Sequence, residues 1–153
     1  VKKEANNAIN CSTQTWPIRV YYEDTDHGGV VYYANYLKFM ERARSEFLRT
    51  AGLELDQIEQ DYGVMFAVRQ ANVSYHAPAR FNEKLLIHSS LVDMRGARIA
   101  FKQQIYRDDD HTLLTEGDIH LACINRDGNV SRIPANIINT LHDYLTNNEE
   151  SAS

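Results

Sequence analysis

Cysteine, positive charge and long apolar runs are all scarce in this chain of 153 residues. Its two cysteines, Cys11 and Cys123, are too few for the disulfide framework of a small secreted domain. Neither stands in a Cys-x-x-Cys or Cys/His spacing that would hold zinc, and His76, His88, His120 and His142 share no ligand spacing. Cys123, inside the apolar run 119–124, reads as a buried, reduced thiol. No stretch approaches the roughly 18 consecutive apolar residues of a membrane helix. With 16 Lys and Arg against 21 Asp and Glu the net charge is −5, which argues against a nucleic-acid partner. The nucleophile elbow Gly-x-Ser-x-Gly, the P-loop and the dinucleotide Gly-x-Gly-x-x-Gly are also missing. Residues 1–15 carry two lysines and no apolar run of the kind a secretory signal has, so the expected setting is a reducing cytoplasm.

What is present describes one globular domain. Hydrophobic residues are 43% and charged residues 24%, ordinary proportions for a folded chain. The ends lack periodicity, which predicts a flexible leader over 1–15, a compact domain over 16–145 and a polar tail over 146–153. Tyrosine is over-represented, nine against five phenylalanines and one tryptophan, and Tyr21, Tyr22, Tyr32, Tyr33 and Tyr36 crowd together.

A β-branched and aromatic run after Pro17 predicts a strand over 18–24, closed by Gly28 and Gly29. From Tyr33 the apolar spacing becomes helical through Leu37, Met40, Phe47 and Ala51, with Gly52 placed to stop it. This helix is expected to be the longest in the chain, with Arg42 and Glu46 supporting it as an i, i+4 pair. A short helix is expected over 55–62. Period-two segments follow over 64–75, 84–94, 98–107 and 113–125, and a short helix over 134–145. Ile99, Phe101, Gln103 and Ile105 share one strand face. Strand, long helix, then four strands without crossover helices make an α+β fold, with neighbouring antiparallel strands curved over one amphipathic helix. The exposed edge of such a sheet favours edge-to-edge dimerisation.

The densest chemistry lies between the first strand and the long helix, in residues 22–36, YEDTDHGGVVYYANY. A carboxylate, Asp26, and His27 precede two glycines and a helix start. Helix N-termini offer free N–H groups and a positive dipole end, so a carboxylate beside one supplies a base or nucleophile and an oxyanion site. The plainer reading is an Asx turn with helix capping. A calcium loop fails because its fifth position is Gly28 and its twelfth is Asn35. An aspartate phosphotransferase needs a parallel α/β sheet that this pattern lacks. Met40, Phe47 and Leu48 at helical spacing read as core before they read as a pocket, and the acidic tip 108–111 reads as a solvated loop.

The same segment, with FMERAR at 39–44, YHAPAR at 75–80 and Met94-Arg95-Gly96, resembles the 4-hydroxybenzoyl-CoA thioesterase family of hotdog-fold proteins. Within it, the chain looks like the branch of acyl-CoA thioesterases associated with the bacterial Tol-Pal system. The resemblance implies a curved antiparallel sheet wrapped around one long helix. It implies Asp26 as catalytic carboxylate, the backbone N–H of Tyr33 as the group that polarises the thioester carbonyl, and Gly28, Gly29 and Val31 at the substrate. Many members of that branch have histidine where this chain has Tyr33. It implies no metal and no cofactor, coenzyme A being part of the substrate. The implied partners are acyl-CoA, a second copy in a homodimer or homotetramer, and an acyl carrier protein or Tol-Pal components. Arg95 and Arg98 are the candidates for the CoA phosphates at a subunit edge, ordinary surface charge being the plainer reading. Rival readings are a hotdog dehydratase or hydratase and a CoA-ester-binding scaffold.

Overall fold

The computed structural model describes residues 12–152, with side chains through residue 148. Cys11 and most of the expected leader lie outside the described residues. The chain forms β1 (Thr13–Arg19), a 3-10 turn (Tyr22–Asp24), α1 (Asn35–Thr50), α2 (Leu55–Tyr62), β2 (Val64–Tyr75), β3 (Lys84–Arg95), β4 (Arg98–Arg107), β5 (Leu113–Asn125) and α3 (Ala135–Ala152). The five strands make one antiparallel sheet in the order β1-β3-β4-β5-β2. This is the α+β hotdog arrangement, a long helix against one face of an antiparallel sheet.

Several boundaries differ from those read in the sequence, each for a local reason. The first strand runs over 13–19 rather than 18–24, so residues 13–15 are strand and not leader. Pro17 sits inside it, paired with Leu86, because β1 is an edge strand where a missing N–H costs no ladder bond. Tyr21 and Tyr22 leave the sheet because the Asp24 carboxylate accepts the Tyr21 N–H at 2.8 Å and starts the 3-10 turn. β2 and β3 are not neighbours. β3, β4 and β5 follow one another, while β2 crosses over to pair with β5 and β1 takes the free side of β3. The largely exposed side chains of β2 suit this outer position.

The longest helix is α3, 18 residues against 16 for α1. No glycine or proline follows Pro134, and the helix continues through residues 146–152, which the sequence pattern had left to the tail. It is held to β1 and α1: Gln14 Nε2 donates to Tyr144 Oη at 2.7 Å and to Phe47 O at 3.2 Å, and the Phe47 and Tyr144 rings meet at 5.9 Å. On α1 itself Glu46 pairs with Arg49 instead of Arg42, and Arg49 also reaches Glu54 at 3.0 Å. A cation at the helix C-terminus is favoured by the dipole.

The core lies between α1 and the sheet. Phe39, Met40 and Phe47 are buried against Ile87, Phe101 and Ile119. Gly117 of β5 lets the helix come close, since a Cβ there would stand 3.3 Å from Met40 Sδ and from Val73 Cγ2. Cys123 is a free buried thiol, as its apolar setting indicated, and burial pushes its ionisation upward. The opposite sheet face carries exposed Lys102, Asp118 and His120. Among the described residues no helix is long and apolar enough to cross a membrane.

Candidate active site

The Asp26 segment is a small hairpin placed ahead of α1. Thr25 bridges Val31, Tyr32 N–H donates to Asp24 O at 3.0 Å, and Asp26 N–H donates to Val30 O at 2.9 Å. Asp26 and Tyr33 therefore stand on the two arms of one hairpin, each within two residues of the Thr25–Val31 bridge. The Asp26 carboxylate is exposed, and its Oδ1 accepts the Gly28 N–H at 2.8 Å. The Asx turn expected on plain grounds is thus real, and it orients the side chain while leaving Oδ2 without a partner among the described residues. His27 is exposed.

Helix α1 starts at Asn35, two residues later than its apolar spacing suggested, and Ala34 at the cap gives no side-chain acceptor. Asn35, Tyr36 and Leu37 direct their N–H groups to the carbonyls of Tyr32, Tyr33 and Ala34. The N–H groups of Tyr33 and Ala34 meet no acceptor among the described residues. No acidic side chain occupies the first turn. An exposed carboxylate thus sits beside an uncapped helix start with two unused donors.

The YHAPAR segment holds this hairpin in place, a role not legible from the sequence pattern. Val31 N–H donates to Ala79 O at 2.8 Å, Val30 bridges Arg80, and Ala79 N–H donates to the buried Tyr36 hydroxyl at 3.0 Å. Burial pushes the Tyr36 phenol upward in pKa, so it remains a neutral acceptor. Arg107 reaches across from β4 to donate to Pro78 O at 2.9 Å, and it pairs with Glu83 and Asp110 at 3.0 Å. Val31 itself is core, with its N–H committed to Ala79 O, so it offers no free donor.

Gly29 turns the loop at φ +78°, with open space where a Cβ would stand. Gly29→Ala meets no clash and is strained by backbone angle alone, about 1 kcal/mol. A thermal melt of this variant is expected to fall by about 3 °C.

Arg95 and Arg98 lie elsewhere. They flank the β3–β4 turn, at the opposite end of β4 from Arg107 and hence roughly 30 Å of strand from the Asp26 hairpin. There they line a groove of about 400 Å³ with Arg69 and His120, Arg95 being 3.4 Å from Asp93. One chain does not bring them to Asp26. Among the described residues no group of three or more His, Cys, Asp or Glu gathers to hold a metal ion.

Arg44 also escaped the sequence pattern. It lies on the apolar stripe of α1, between Met40 and Phe47, and it is buried. A cation at that spacing was the signal that could have found it.

Comparison with known proteins identifies the family. A family model described as thioesterase-like superfamily matches residues 20–141. The acyl-CoA thioester hydrolase YbgC of Escherichia coli O157:H7 is 42% identical over 117 residues, covering 76% of this chain and 86% of that protein. Among solved structures, a probable thioesterase from Bartonella henselae has a TM-score of 0.76 at 33% identity, over 80% of this chain and 100% of its own. The 4-hydroxybenzoyl-CoA thioesterase of Pseudomonas sp. strain CBS-3 shares the fold, with a TM-score of 0.79 at 21% identity over 84% of this chain and 98% of its own. With the Asp26 hairpin leading into α1 inside the matched region, the chain belongs to the thioesterase-like superfamily.

Proposed function

We propose that the protein hydrolyses acyl-CoA thioesters to a free acid and coenzyme A, with Asp26 and the start of α1 as the reacting surface. The observation that carries this is the pairing of a partly unengaged, exposed carboxylate with the unused N–H of Tyr33. A thioester carbonyl seated on that N–H gains a donor aimed at the oxygen where negative charge develops. Asp26 then either attacks the carbonyl carbon, giving an anhydride that water opens, or takes a proton from the attacking water. Both routes release coenzyme A as the thiol and return Asp26 to its carboxylate. The names of the similar proteins, acyl-CoA hydrolases among them, support the substrate class. A thiol-release assay across acyl-CoA chain lengths tests the reading, and no release from any ester would overturn it.

A second copy completes the arrangement. β2 is an edge strand with exposed Met65, Val68 and Tyr75. Two-fold antiparallel pairing of two such edges reverses one strand against the other. It carries the Val64 end of one protomer, and with it the Arg95–Arg98 turn, toward the Tyr75 end of its partner. The Tyr33 ring packs on Tyr75 at 6.0 Å, so the Asp26 hairpin travels with that end. In this pairing Arg95 and Arg98 serve the CoA phosphates across the subunit edge. The double variant Arg95→Ala/Arg98→Ala is expected to raise KM for acyl-CoA about tenfold, the loss of one or two charge-assisted contacts, and steady-state kinetics reads it directly.

A further inference from the structure

A buried cation stands in the wall of the cavity between α1 and β2. Arg44 is 8% exposed, and its Nη1 donates to Gln103 Oε1 at 3.0 Å. Gln103 is a neutral partner, itself fixed by donating to Met40 O and Ser89 Oγ at 2.9 Å. Among the described residues no carboxylate forms an ion pair with Arg44. Glu41, one turn earlier and exposed, attracts it only at longer range, while burial pulls its pKa down. A guanidinium has five N–H donors, and a single bond to an amide leaves most of them unused. Arg44 lines a cavity of about 310 Å³ whose wall also includes Glu41, Ser45, Leu48, Phe66, Val68 and Phe101.

The chemistry of that wall is lopsided. Its aliphatic and aromatic surfaces suit a hydrocarbon chain, yet one side presents a desolvated donor array that is costly to leave facing apolar matter. Water meets this need while the cavity is open. A purely hydrocarbon ligand would displace the water and supply no acceptor, whereas a ligand ending in oxygen would replace it. Sites built to hydrogen-bond a ligand discriminate sharply against the analogue that lacks the bonding group.

The geometry points to Arg44 as the specificity-determining residue of the acyl pocket: the α1–β2 cavity takes an acyl group whose far end carries an acceptor oxygen, a carboxylate or a ketone carbonyl. This rests on the thioesterase reading above. The cavity is lined on α1 two to three helical turns past the helix start, so within one chain it stands apart from the Asp26 hairpin. The two-fold pairing of β2 edges proposed above brings the Phe66–Val68 end of one protomer's cavity toward its partner's Asp26 hairpin.

The test compares three CoA esters of matched length and shape. These are glutaryl-CoA, its isostere with a terminal methyl ketone, and isoheptanoyl-CoA with a terminal isopropyl group. The wild-type protein is expected to favour at least one oxygen-ended ester over isoheptanoyl-CoA by about tenfold or more in kcat/KM. The first two esters separate a carboxylate from a neutral carbonyl as the preferred end. Arg44→Met, close in volume, is expected to bring that ratio to about one, and Arg44→Lys, which keeps the charge, to retain part of it. A wild-type ratio at or below one overturns the proposal, as does a ratio that Arg44→Met leaves unchanged. Should Arg44→Met fail to fold, the wild-type ratio and Arg44→Lys decide. Failure of the wild-type protein to cleave any of the three would instead defeat the thioesterase reading for this substrate class. Calorimetric binding of the same esters would then judge the pocket, with the same tenfold preference expected and its absence fatal.

Discussion

Replacing Asp26 by asparagine is expected to lower kcat for acyl-CoA hydrolysis by about three orders of magnitude and to leave the melting temperature where it was. The size follows from what the carboxylate does. A positioned general base contributes roughly two to four powers of ten, and a nucleophile replaced by an amide loses its covalent route altogether. The variant is selective because the Asx turn survives. The asparagine amide keeps an Oδ1 to accept the Gly28 N–H, which lies 2.8 Å from the aspartate oxygen, so the hairpin and its bridge from Thr25 to Val31 are retained. The side chain is exposed and joins no ion pair among the described residues, so no packing is disturbed. Residual turnover above the uncatalysed rate is expected as well, because the variant keeps the Tyr33 N–H proposed to receive the carbonyl oxygen. Stopped-flow or plate-based thiol detection, paired with a thermal melt, separates the two effects. Turnover within about threefold of wild type, with the fold intact, would remove Asp26 from the mechanism.

Which parts of this were legible in the sequence depended on the range of the interaction that decides them. The bounds of β2, β4, β5 and α2 follow from alternation, helical spacing and turn residues, all local signals, and the structure has them where the pattern put them. The edge positions of β1 and β2 are set by partners far along the chain. Pro17 was therefore misread as a strand boundary, whereas an edge simply tolerates it. The Asp26–Gly29 loop stood out because carboxylate and glycine chemistry is local. Its support did not stand out, because Ala79 acts through backbone atoms that any residue carries. α3 outran its expected end because a polar stretch without Gly or Pro continues a helix when tertiary contacts hold its base, here through Tyr144. Gln103 was placed on the correct strand face but without a reason. That reason is Arg44, 59 residues away in sequence.

Gln103→Leu is expected to cost more stability than any exposed substitution in the chain, about 3 kcal/mol. Leucine matches the volume and suits the neighbouring Phe101 and Ile105, so a hydrophobic ledger alone would predict no loss. The loss comes from what the glutamine leaves behind. Its amide oxygen is the one acceptor bonded to the buried Arg44 among the described residues, and its amide nitrogen joins Met40 O on α1 to Ser89 Oγ on β3. Removing it takes from the buried Arg44 its one protein acceptor among the described residues and unties the helix from two strands. For a chain of this size the loss corresponds to a melting point lower by about 10 °C, measurable by calorimetry. A double-mutant cycle distinguishes this cause from poor packing. Arg44→Met/Gln103→Leu removes the charge together with its acceptor, so the pair should recover about 2 kcal/mol relative to the sum of the single variants. Strict additivity would mean that Gln103 stabilises the fold through Ser89 and Met40 alone. Recovery would show that one buried amide is retained to hold one buried guanidinium, fixing the donor that faces the cavity between α1 and β2.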